Sequence, residues 1–84
     1  MITKANRKKL LKTIGHGHIQ KIHDFMIENK IFRDNEEPYS KSHISNVFNG
    51  VDHEIIEDAI LDCGLHYKKL ERLRKEKIES LKTA

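Results

Sequence analysis

The side chains best suited to specific recognition stand in one short stretch, residues 40–50, with the sequence SKSHISNVFNG. Ser40 is a typical helix N-cap and Asn49-Gly50 is a typical helix end, so the stretch predicts a short helix. Three polar side chains share the face opposite its apolar residues: Lys41, Ser42 and Asn46. Their chemistry is hydrogen bonding, since asparagine and serine both donate and accept while lysine donates. The stretch therefore predicts a recognition surface.

This stretch resembles the recognition helix of the lambda-repressor-like, or Cro/C1-type, helix-turn-helix family. The resemblance extends back to residues 17–22, GHIQKI, and forward to residues 55–61. It implies a transcriptional regulator of bacterial or phage type that binds double-stranded DNA through the major groove. The implied base contacts are Lys41, Ser42 and Asn46. The implied contacts to the DNA backbone are Gly17, His18, Ser40, His43 and Asn49.

The charge is distributed unevenly along the chain, although the net charge of 16 basic minus 13 acidic residues is only +3. Residues 1–12 carry five basic side chains and no acid, and Lys8 and Lys9 are expected to lie along DNA phosphates. Residues 51–62 carry five acids and no basic side chain, directly after a helix proposed to contact DNA. These acids motivate an alternative: a module with the same fold that binds proteins and not DNA.

The length of 84 residues excludes large enzyme scaffolds such as a (β/α)₈ barrel. No run of about 20 apolar residues could cross a membrane, and the basic start is unlike a secretory signal. With a single cysteine, Cys63, an internal disulfide is impossible, so a cytoplasmic, nucleoid-associated protein is expected. Cys63 is expected to be a buried apolar side chain. No histidine spacing matches a zinc site and no catalytic constellation is visible, so no enzyme activity, metal, cofactor, membrane or small-molecule substrate is expected.

Apolar residues at helical spacing predict an all-α bundle of about five helices, with a helix-turn-helix core and a basic C-terminal helix. The first three helices are expected to begin after Thr3, near His18 and after Ser40. The second is expected to end near Ile31 or Phe32.

The polar connection between the second and third helices is predicted over residues 33–39, where an Asp-Asn pair and a proline favour a turn. Asp52 is expected to cap the fourth helix and Gly64 to end it. Either Ile55 or Ile56 is expected on its buried face.

A fifth helix is predicted over residues 67–82, with a stripe of apolar side chains that could close the core, pair with a second copy or lie along DNA. Residues 1–66 are expected to form the helix-turn-helix domain, and residues 67–84 a helical extension of the same domain or a dimerisation segment. A homodimer is expected, because helix-turn-helix proteins generally bind two half-sites.

Overall fold

The structure is a computed structural model, which describes residues 1–83. It contains four α-helices: α1 (Lys4–Ile14), α2 (His18–Glu28), α3 (Lys41–Phe48) and α4 (Glu54–Thr83). Residues 1–83 contain no strand, so the predicted all-α class is confirmed, with four helices in place of five. Ala84, the last residue of the predicted extension, lies outside the described residues.

The core lies where α1, α2 and α3 pack against the first part of α4. Its buried side chains are Ile2, Leu10, Ile14, Ile22, Met26, Tyr39, Ile44, Val47, Phe48, Ile56, Ala59, Ile60 and Cys63. Of the two candidates at the start of α4, Ile56 is fully buried and Ile55 is 50% exposed. Ile56 therefore sets the register of α4 on the core.

The predicted N-caps of α1 and α3 are confirmed. The hydroxyl of Thr3 accepts a hydrogen bond from the backbone N–H of Asn6 at 3.1 Å, and the hydroxyl of Ser40 accepts one from the N–H of His43 at 3.1 Å. Each satisfies one of the free donors that a helix N-terminus leaves. Gly50 takes a φ of 117° directly after α3, as the predicted helix end requires.

The predicted end of α2 near Ile31 is wrong, because the helix stops at Glu28. The N–H of Ile31 donates to the carbonyl of Met26 at 2.8 Å, and the N–H of Lys30 donates to the carbonyl of Ile27 at 3.1 Å. This pair of bonds is a Schellman motif, in which the residue after the cap takes a left-handed conformation. Lys30 occupies that position with a φ of 56°, a conformation that lysine rarely adopts.

Replacement of Lys30 by glycine is expected to stabilise the fold by about 1 kcal/mol, because glycine adopts a positive φ without a steric penalty. Urea denaturation of Lys30→Gly and wild type measures the difference. Lys8→Gly, in the interior of α1, is the matched control and should lose about 1 kcal/mol. A loss of stability in Lys30→Gly would contradict the assigned helix end.

The predicted helix end at Gly64 is also wrong, since α4 passes through this residue without interruption. A Cβ atom at this position would lie 2.5 Å from Cδ2 of Leu10. Glycine costs a helix interior about 1 kcal/mol relative to alanine. Here it allows α1 and α4 to approach closely, so its role is packing and not termination.

The predicted cap of α4 by Asp52 is wrong as well. Nδ1 of His53 accepts a hydrogen bond from the N–H of Ile56 at 3.3 Å, and the carboxylate of Glu57 accepts one from the N–H of His53 at 3.0 Å. These two bonds satisfy donors at the helix start in the manner of a capping box. The carboxylate of Asp52 lies instead 3.3 Å from the α-amino group of Met1.

The second half of α4 projects beyond the bundle, and the molecule measures 51 Å along its longest axis. Its apolar side chains, here called the C-terminal stripe, are 39–80% exposed: Leu70, Leu73, Ile78 and Leu81. The stripe therefore does not close the core of a single chain, whereas Tyr67, with which the predicted apolar stripe begins, packs partly buried against the core. No helix in the described part of the chain has both the length and the apolar character needed to cross a membrane.

Candidate nucleic-acid interface

The helix α3 has one fully buried face and one polar exposed face. Ile44 and Val47 have no exposed surface and hold the helix against the core. The three predicted base contacts are all exposed: Lys41, Ser42 and Asn46. Hence α3 presents a hydrogen-bonding surface with a single charge, while its position is fixed by apolar packing.

The start of α3 is held by a cluster of three rings from three parts of the chain. The ring of His43 lies 5.6 Å from that of Tyr39 and 4.9 Å from that of His53, between centroids. Tyr39 is buried and comes from the connection before α3, whereas His53 caps α4. His43, predicted to contact the DNA backbone, is therefore half-buried and positions α3 as well. Ser40, predicted for the same role, is exposed.

The N-terminus of α2 is open to an anion. Gly17 precedes it with a left-handed φ of 73°, and the helix has no side-chain cap and no acid in its first turn. Free backbone N–H groups at such a helix end favour phosphate. His18 packs its ring 4.8 Å from that of Phe48, and burial lowers the pKa of His18. This contact puts the start of α2 beside the end of α3, where Asn49 is exposed.

Arg7 is a positioning residue that the sequence did not single out. Its Nε donates a hydrogen bond to the backbone carbonyl of Phe48 at 3.1 Å, so α1 is tied to the C-terminal end of α3. A positive charge is favourable there because the last carbonyl groups of a helix carry partial negative charge. In the sequence Arg7 is one of five basic residues in a run. Lys8 and Lys9 are exposed on α1, and Lys9 borders α4.

Two of the acids that follow α3 are paired with the α-amino group of Met1. This ammonium contacts the carboxylates of Asp52 and Glu57. The hydrogen bond to Glu57 raises the pKa of the ammonium above 8.0, and the same bond lowers the pKa of Glu57 below 4.5. The positive charge offsets part of the acidic charge beside α3, which otherwise repels a phosphate.

The pair of Met1 and Glu57 is expected to stabilise the fold between about pH 5 and pH 8. The lowered pKa of Glu57 contributes stability above 4.5 that is lost as the pH falls, and the raised pKa of Met1 contributes stability below 8.0 that is lost as the pH rises. Urea midpoints of wild type and Glu57→Gln across pH 3–10 measure the difference, which should shrink at both ends. Glu54→Gln, in the same helical turn, should show no alkaline change. A Glu57→Gln difference that persists unchanged to pH 10 would refute the pairing.

Cys63 has no exposed surface, and burial raises the pKa of its thiol to about 11. The thiol is therefore protonated near neutral pH and lacks the thiolate that a nucleophile or a metal ligand needs. Within residues 1–83 no three histidine, cysteine, aspartate or glutamate side chains come together as a group that could hold a metal ion.

Comparisons of the chain with protein-family models, with curated proteins and with solved structures find no match.

Proposed function

We propose that this protein is a sequence-specific DNA-binding regulator of transcription, of bacterial or phage type, with α2 and α3 as its helix-turn-helix core. One observation carries the proposal: α3 exposes Lys41, Ser42 and Asn46 while its opposite face is completely buried. A helix that enters the major groove needs this division, because one face must hold to the domain while the other faces base edges.

In the proposed complex the three exposed side chains of α3 contact bases. Asn46 is suited to a bidentate pair with adenine, and Lys41 to guanine or a phosphate. Ser42 hydrogen-bonds either donors or acceptors and so discriminates less. Specificity then depends on a few polar groups, because the rest of the outward face carries little charge.

The DNA backbone is held by groups at helix ends. The open N-terminus of α2 at Gly17 and His18 favours a phosphate, and Asn49 lies beside it. Ser40 and His43 are the corresponding groups at the start of α3. Lys8 and Lys9 add attraction that does not depend on sequence.

The connection between α2 and α3 is longer than the family normally has, because it runs over residues 29–40. Its middle forms a closed surface loop in which the N–H of Arg33 donates to the carbonyl of Glu37 at 2.9 Å. The side chain of Asn35 accepts a hydrogen bond from the N–H of Glu37 at 3.2 Å. The chain then returns to the core at Tyr39. The longer connection does not separate the two helices of the proposed core, because α2 and α3 still pack against each other.

Regulation is proposed to act by occupancy, with a homodimer on two half-sites that blocks a promoter. Two copies related by a two-fold axis fit a pseudo-palindrome whose half-sites lie about one helical turn apart. Selection of bound duplexes from a random pool tests this, and enrichment of a two-fold symmetric site is expected. Recovery of no common sequence would contradict the proposed specificity.

A second candidate function is a protein-binding module with the same fold. It is favoured by the acids on the outer side of α4, among them Glu54 and Asp58, next to the exposed Ile55. A salt titration on random duplex separates the two candidates. A DNA-binding protein loses affinity steeply between about 50 and 200 mM salt. If the protein binds no duplex even at low salt, the protein-binding module is favoured.

A further inference from the structure

Between residues 58 and 72 the outward face of α4 changes from acidic to basic around one exposed leucine. At 3.6 residues per turn, positions 58, 62, 65, 69 and 72 lie on the side of α4 opposite to its buried residues. Leu65 is 65% exposed at the centre of this face. Asp58 and Asp62 precede it, and Lys69 and Arg72 follow it, all four exposed.

A groove between α1 and α4 adjoins this face, and it also combines exposed leucine side chains with charged ones. Leu61, which is 40% exposed, and Leu65 line the groove together with Leu10. Its border is basic: Lys9, Lys12 and Lys68. An apolar surface with a basic border fits an acidic segment with apolar side chains, and the first half of α4 is such a segment.

We propose that two copies of this chain pair antiparallel along the outward faces of α4, with the two-fold axis near Leu65. Asp58 and Arg72 lie seven residues on either side of Leu65, so the axis brings Asp58 of each copy to Arg72 of the other. Asp62 lies three residues before the axis and Lys69 four residues after it, so these two also meet across the interface. Each contact occurs twice, as in any isologous interface.

The alternative arrangements bring more like charges together. Antiparallel pairing opposes Glu54 and Glu76, which lie one turn beyond Asp58 and Arg72, whereas parallel pairing on the same face sets Asp58 against Asp58 and Arg72 against Arg72. Pairing through the C-terminal stripe includes Arg74 and Lys77, which lie within the same sector of the helix. The acidic and basic halves of the outward face therefore favour the antiparallel arrangement.

This interface deepens the proposed function, since it gives the homodimer a surface, but it uses none of the residues proposed to contact bases. Its test contains no DNA, so that its failure leaves the proposed base contacts untouched. Conversely, loss of DNA binding by an Asn46 variant leaves the interface untouched.

Sedimentation equilibrium of the 84-residue protein at low salt tests the pairing. Asp58→Arg and Arg72→Asp should each raise the dimer dissociation constant by about tenfold or more, because each sets like charges opposite one another twice. The double variant Asp58→Arg/Arg72→Asp should restore association. Glu28→Arg, an exposed charge change on α2, is the control and should have no effect. Circular dichroism verifies that each variant keeps its helices.

A cysteine cross-link tests the position of the two-fold axis. Leu65→Cys should form a disulfide between copies in oxidised glutathione, while Leu81→Cys should not, and the buried Cys63 does not compete. A monomer at all concentrations, a double variant that fails to associate, or cross-linking through Leu81→Cys alone would each overturn the proposal.

Discussion

Asn46→Ala is expected to weaken binding to the preferred duplex by about 1–3 kcal/mol, a factor of about 5 to 150, and to leave binding to random duplex unchanged. The side chain is exposed on α3, so its removal leaves the core intact. A base-contacting group discriminates between sequences, whereas a phosphate contact does not. Fluorescence anisotropy on both duplexes at one salt concentration measures the two affinities. Lys41→Ala is expected to show a loss of similar size on the preferred duplex.

Lys8→Ala provides the matched comparison for these variants. Because Lys8 is exposed on α1 and is proposed to lie along phosphates, its removal should weaken both duplexes alike and reduce the salt dependence. An equal loss on specific and random duplex for Asn46→Ala would exclude its role in contacting a base.

Ile56→Ala is expected to cost about 2–5 kcal/mol of the free energy of unfolding, because it removes a fully buried side chain and leaves a cavity. The adjacent Ile55 is 50% exposed, so Ile55→Ala is expected to cost less than about 1 kcal/mol. The two variants remove identical groups from neighbouring positions of one helix. The difference between their free energies of unfolding, measured in urea, therefore reflects burial alone. Similar losses of stability in the two variants would contradict the register of α4.

The ends of α3 could be predicted from the sequence because they are determined locally. The hydroxyl of Ser40 bonds to an N–H three residues away, and Gly50 supplies a positive φ one residue after the cap. The outward positions of Lys41 and Asn46 follow from the same helix, once Ile44 is assigned to the core.

The errors occur where a distant residue decides the outcome. Gly64 has the composition of a helix end, but its role is set by Leu10, which is 54 positions earlier in the chain. Asp52 is a good N-cap residue by type, yet its carboxylate turns to the α-amino group of Met1. The end of α2 is an exception, because its cause is local: the helix stops at Glu28, and Lys30 takes the positive φ of the closing motif although lysine disfavours it.

Only the outward part of the candidate site could be predicted from the sequence, and its role in DNA binding stays a prediction. Period and residue type identify Asn46, whereas nothing in a run of basic residues distinguishes Arg7, whose contact with the end of α3 depends on how α1 packs. The aromatic cluster of His43, Tyr39 and His53 likewise joins three segments that only the fold brings together.

Because the single thiol is buried, the rate of its chemical labelling measures how often the bundle opens. Cys63 is enclosed by the bundle, and its raised pKa of about 11 keeps it protonated, so an alkylating reagent reacts only after the surrounding helices separate. Since the chain has no other cysteine, the labelling rate of the unmodified protein reports the exposure of the Cys63 thiol alone. A DNA duplex that binds the folded protein would slow this labelling, and the extent of the slowing would give the free energy of binding without any introduced probe.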